Sequence, residues 1–166
     1  YIERVSNGIN ATITNISVIE ITDDTNLPRI NYEGFSYQDA LGSELVVNGS
    51  FSSDTAWVKG AGWSISGGSA NKTGSANSEL YQTGVGIQTG KKYKFTYEIT
   101  SYTSGSIQAR LFTGTSGVVR SAVGVYEEIL TAVSSNGNAG FYTSSAFNGS
   151  IDNVSVKEYL GKSVVP

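Results

Sequence analysis

The sequence predicts an all-β protein, an antiparallel β-sandwich. Three observations predict it. Apolar and polar residues alternate over several short runs, turn formers recur about every 8–15 residues, and no window carries a helical apolar stripe. Leu45, Val46 and Val47 open the set before the turn Asn48-Gly49, and Trp63-Ser-Ile-Ser66 is closed by Gly67-Gly68. Tyr93, Phe95, Tyr97 and Ile99 share one face, with Lys94, Thr96 and Glu98 on the other. Ile107, Ala109 and Leu111 alternate with Gln108 and Arg110 in the same way. Val123, Val125, Ile129 and Leu130 mark one or two strands without a definite register. Phe141-Tyr142 and then Ile151, Val154 and Val156 complete the pattern.

Composition agrees. Charged residues make up 15% of the 166 residues, against about 25% in an average globular domain; Tyr, Ser, Thr, Asn and Gly fill the difference. Ten Tyr, six Phe and two Trp with a net charge of −3 describe a chain that folds rather than a disordered one. The mild acidity argues against nucleic acid as a partner, and no apolar run is long enough to span a membrane as a helix. There is no cysteine for disulfides or thiol chemistry, and no histidine, the commonest general base. A start at Tyr1 rather than Met is expected of a processed product or fragment.

The most informative pattern is an internal repeat. Residues Asn10-Ala-Thr-Ile-Thr-Asn-Ile-Ser-Val-Ile-Glu-Ile21 match Asn148-Gly-Ser-Ile-Asp-Asn-Val-Ser-Val-Lys-Glu-Tyr159 at six of twelve positions, without a gap, at an offset of 138. Residues 1–22 are therefore expected to be the terminal strand or strands of a preceding module in a tandem array. Residues 23–42 are expected to be a linker, with a short turn or single helical turn at 35–42. Residues 43–160 form the module proper, and 161–166 begin another linker. A strand without its module leaves unpaired backbone and exposed Ile13, Ile16 and Val18, so the chain is expected to self-associate as a homo-oligomer or to pair with a neighbouring subunit, with pairing to the edge of its own module as the alternative.

Glu44-Leu-Val-Val-Asn-Gly-Ser-Phe51, Trp57 and Gly62-Trp-Ser-Ile-Ser-Gly-Gly68 resemble the opening of carbohydrate-binding modules of the family 4/9/22 type. Tyr81-Gln82, Gly90-Lys-Lys-Tyr-Lys-Phe-Thr96 and Gly105-Ser-Ile-Gln-Ala-Arg-Leu111 are similar to their middle strands, and Ile151-Asp-Asn-Val-Ser-Val156 to their closing strand. The resemblance implies a galactose-binding-like jelly roll. Asp24-Thr-Asn-Leu-Pro-Arg-Ile-Asn-Tyr32 and Lys157-Glu-Tyr-Leu-Gly161 resemble repeats in bacteriophage virion proteins such as tail or head fibres. These imply a virion-surface location, with other virion subunits as partners; a secreted protein is the alternative.

Sugar recognition needs aromatic faces for pyranose rings and fixed polar groups for hydroxyls. Trp57, after the loop Ser52-Ser-Asp-Thr-Ala56, is the expected platform, whereas Trp63, inside a strand, is expected in the core. Tyr81, Tyr102, Tyr126 and Tyr142 are further candidates, each with a half-buried sheet position as the competing explanation. Gln108 and Arg110 share the face opposite the core, where the resembled modules carry their polar ligand contacts; a solvated outer face is the alternative. The resemblance also implies a structural calcium ion tying the first strand to the last. Asp152 matches its late-strand carboxylate and Glu44 could join it, against a turn or strand-end hydrogen-bonding role for Asp152. For catalysis, a glycosidase needs two facing carboxylates. The mid-module candidates, Glu98 and Glu127-Glu128, read as solvated surface, so the chain is expected not to be an enzyme. The functions left open are glycan binding on a virion, a ligand-free structural spacer or decoration, and an accessory module of a secreted glycoside hydrolase.

Overall fold

A computed structural model describes residues 36–135 and 137–165; the strand expected within residues 1–22, with the first copy of the repeat, and the linker up to residue 35 lie outside them. The described part is all β, without a helix, and its strands are joined into one antiparallel network. The nine strands are β1 (Ser36–Glu44), β2 (Val58–Lys59), β3 (Trp63–Ser66), β4 (Ser69–Lys72), β5 (Ser78–Gln82), β6 (Lys92–Leu111), β7 (Thr115–Ser116), β8 (Gly124–Thr131) and β9 (Ala139–Val165).

Two long strands organise the fold. β6 and β9 pair antiparallel from Tyr93↔Glu158 to Leu111↔Ala139, with register shifts between Thr96 and Ser106. At that bend Gly105, Ser145 and Ala146 all take positive φ, and the ladder turns from one sheet into the other. The first half of β6 continues sideways to β8, and the last part of β9 to β1. The second half of β6 meets β7, and the first part of β9 meets β5, which carries β2. The β3–β4 hairpin turns at Gly67-Gly68 with φ of 64° and 75°, as a tight turn with two left-handed residues requires, and joins β9 at Ala70↔Ile151.

The alternating residues then meet inside. Phe95 and Tyr97 approach Phe141 nearly edge-on, at centroid distances of 5.5 and 5.0 Å, so the two halves of the ladder face each other. Tyr93, Ile99, Ile107, Leu111, Leu80 and Val156 are all buried around them. Trp63 joins this core, as its place in a strand predicts. β8 runs in one register, Tyr126 opposite Tyr97 and Ile129 opposite Lys94.

Residues 36–42 are not a linker or helical turn. They lie in β1, which pairs with Lys157–Val165 of β9, so residues 161–165 are strand as well. Ion pairs pin this ribbon: Asp39 meets Lys94 at 2.6 Å and Lys162 at 2.7 Å, and Lys94 also meets Glu127 at 2.7 Å. Hydrogen bonds from Lys162 and Lys94 hold the Asp39 carboxyl below its ordinary value of 3.8. A depressed acid contributes stability above its unfolded pKa and loses it as pH falls. The thermal stability advantage of the parent over Asp39→Asn is therefore expected at neutral pH and shrinks in melts below pH 3.8.

Candidate functional site

Four of the six expected ligand-binding residues come together on the outer face of β5, β9 and β6. Glu79 and Tyr81 alternate with buried Ser78, Leu80 and Gln82 along β5. Gln108 and Arg110 alternate with Ile107, Ala109 and Leu111 along β6. Pairing sets Glu79, Tyr142 and Gln108 in one cross-strand row. The next row is Tyr81, Gly140, Arg110 and Ser116. Gly140 has no side chain, so that row is bare backbone between Tyr81 and Arg110.

Arg110 is the centre of the group. Its guanidinium lies 5.1 Å from the Phe112 ring centroid and 5.6 Å from that of Tyr142, distances at which a cation is attracted to an aromatic face. Its Nη1 donates to Glu79 Oε1 at 3.1 Å, while its Nε is buried without a hydrogen-bond partner. Tyr81 and Phe112 pack with centroids 5.0 Å apart at 43°. The pair of charges is about one-third exposed on each side, so Arg110 is oriented at the surface without carrying net charge there. The result is a half-buried patch of three aromatic rings, a positioned guanidinium, an amide and a carboxylate. Rings of this kind can lie against the C–H face of a sugar, and the polar groups can exchange hydrogen bonds with its hydroxyls.

Glu79 and Phe112 were not among the expected residues. The signal for both was parity: Glu79 is two before Tyr81, and Phe112 two after Arg110, so each falls on the same face.

Two expected residues do not belong to this patch. Trp57 is only 7% exposed; its Nε1 donates to Asn48 O at 3.0 Å and its ring packs 5.1 Å from Phe51. The indole is thus a core side chain that closes the 48–57 loop, and its face is not available as a platform. Tyr126 lies across the sandwich on the inner side of β8. It packs 5.6 Å from Tyr97, under the Arg120 guanidinium at 4.7 Å, and donates to Ala122 O at 2.8 Å. Tyr102 is likewise taken up by the fold, donating to Gly105 O at 3.0 Å beside Phe147.

Glu44 and Asp152 do not fit a calcium ion. Glu44 Oε1 accepts from the backbone N–H groups of Leu45, Val46 and Val156 at 3.1, 3.3 and 2.8 Å, and Oε2 from the Ser155 hydroxyl at 2.5 Å. That carboxylate fastens the end of β1 to β9, a use that leaves it little room as a hard-cation ligand. Asp152 Oδ1 accepts from Asn153 N–H at 2.7 Å, a local hydrogen bond made within β9, where Asn153 has φ of 53°, and not at a strand end. Among the described residues no three His, Cys, Asp or Glu side chains group as a metal cage.

Of the mid-module carboxylates, Glu98 accepts from Asn153 at 3.0 Å and Glu127 pairs with Lys94, both on the polar face. Glu128, expected to be solvated, instead turns inward, and burial raises its pKa.

No protein-family model and no curated protein sequence matches the chain. Among solved structures, an arabinose-bound GH51 α-L-arabinofuranosidase is similar over 71% of this chain and 27% of that one, at 15% identity and a TM-score of 0.51. The similarity is one of fold, and the chain corresponds to about a quarter of that enzyme's length.

Proposed function

We propose that the chain is a non-catalytic carbohydrate-binding module, displayed on a bacteriophage virion surface and adhering to cell-surface or environmental polysaccharide. One observation carries this reading: Tyr81, Phe112 and Tyr142 gather round an oriented Arg110, with Gln108 and Glu79 beside it, on one open sheet face. The likeness to part of an arabinofuranosidase supports a glycan-related setting. The virion setting rests on the linker wording at 24–32 and 157–161, and it brings other virion subunits and further copies of the chain as partners. The non-catalytic reading rests on a sequence without His or Cys and on the separate engagements of Glu98, Glu127 and Glu128.

A glycan array probed with the full chain, followed by affinity electrophoresis on each polysaccharide retained, tests it. Tyr142→Ala and Arg110→Ala are each expected to weaken retention about tenfold, the effect of removing roughly 1.4 kcal/mol of contact. Full retention by both variants would move the site elsewhere. Failure to bind any glycan would leave the sandwich as a spacer or decoration.

A further inference from the structure

Exposed aliphatic residues gather on one part of the sandwich. Of the eleven large hydrophobic side chains exposed among the described residues, six fall between 118 and 133: Val118, Val119, Val123, Val125, Ile129 and Val133. Single exposed valines are ordinary, but this density makes a patch.

The fold brings the six onto one hairpin. Residues 115–122 run antiparallel beside β8: Thr115 donates to Thr131 O at 2.6 Å, Val118 N to Glu128 Oε2 at 2.8 Å, and Tyr126 to Ala122 O at 2.8 Å. Val133 follows at the open end, beside Gly114. Within β8, Val125, Glu127 and Ile129 alternate outward, while Leu130 is buried and Tyr126 and Glu128 are half-buried.

The hairpin carries three charges, and each is engaged. The Arg120 guanidinium lies over the Tyr126 ring at 4.7 Å, Glu127 pairs with Lys94 at 2.7 Å, and Glu128 accepts from Val118. What faces outward is therefore mostly aliphatic, without a free charge. Such a face lacks the rings and fixed polar groups that hold a sugar. It also lacks the basic side chains that hold nucleic acid or an anionic membrane. It fits another aliphatic protein face.

We propose that this hairpin is the interface of a homodimer, closed by a second copy of the chain about a two-fold axis near Glu127. Val125 and Ile129 stand two residues either side of Glu127. Such an axis lays Val125 of one copy on Ile129 of the other, the self-complementary arrangement a two-fold contact requires. The Glu127 carboxylates that meet near the axis are each paired with Lys94, so bare like charges are not brought together. The six aliphatic residues expose roughly 500 Å². A rim that includes exposed Ser121 and Thr131 brings the face toward the about 800 Å² per partner that a standard interface buries.

Sedimentation equilibrium of the full chain tests the interface, with a dimer that dissociates on dilution as the expected result. Val125→Lys is expected to weaken the dimer about tenfold or more. Val47→Lys, at an exposed valine outside the hairpin, is expected to leave it unchanged. The chain has no cysteine, so a nitroxide on Val123→Cys reports the contact directly. Val123 lies four residues from the axis, and the two labels are expected roughly 25 Å apart, twice four strand rises of about 3.3 Å. A wild-type chain that is monomeric at every concentration overturns the proposal. So does a dimer that Val125→Lys leaves intact, or one whose labels lie far outside that distance. If Val125→Lys does not fold, the label distance decides alone.

Discussion

Phe141→Ala is expected to lower the free energy of unfolding by about 3–5 kcal/mol. Phe141 is fully buried and takes both the Phe95 and the Tyr97 ring edge-on. It is the side chain through which the two halves of the β6–β9 ladder meet. Truncation removes a large buried surface, two aromatic contacts and the wedge between sheets, and the rings around it are held by strands that cannot collapse inward. Urea denaturation followed by tryptophan fluorescence checks it, since Trp57 and Trp63 are both in the core. The midpoint is expected to drop with little change in slope, as a loss of stability without a change in the unfolded state requires. A loss under 1 kcal/mol would mean that the sheets are not joined through this residue.

Gly105→Ala is the second large effect, about 2–4 kcal/mol. Two costs combine at this bend. Gly105 has φ of 76°, and a Cβ there would collide with the backbone of Ala146 and Phe147 on the neighbouring strand. Gly90 offers the comparison, because it has φ of 80° but open space around its missing Cβ. Gly90→Ala should cost only the left-handed penalty, about 1–2 kcal/mol. Denaturation of the two variants separates the terms: equal losses would remove close approach from the account of the bend.

Much of the fold was legible because alternation reports directly on which side of a strand is dry. The runs 93–99 and 107–111 bury the residues their parity selects. Their union into one strand was not legible. Between them Tyr102, Ser104 and Ser106 follow no apolar period, and the ladder persists through backbone bonds and serine pairs such as Ser106 with Ser144 at 2.8 Å. β1 was hidden for a related reason. Ser36–Glu44 has weak strand propensity and no alternation, and its conformation comes from β9 and from the Asp39 ion pairs, which lie far off in sequence. The site divided in the same way. Gln108, Arg110, Tyr81 and Tyr142 follow from parity within strands, but Trp57 follows a loop, where exposure cannot be inferred from neighbours. Its burial depends on Phe51 and on the Asn48 carbonyl finding its indole N–H.

The β1–β9 ribbon places Ser36 opposite Val165, so the two ends of the described sandwich leave side by side. Tension applied through those ends does not load the ladder in shear, with all its bonds strained together. It opens the ribbon as a zipper, from Ser36↔Val165 inward, one pair at a time. The ion pairs at Asp39↔Lys162 come early in that sequence, and the Glu44 clamp to Val156 and Ser155 marks where it reaches the core. The ribbon would therefore yield at low force and lengthen the tether, while the sandwich behind it, with its aromatic patch, stays folded under the load.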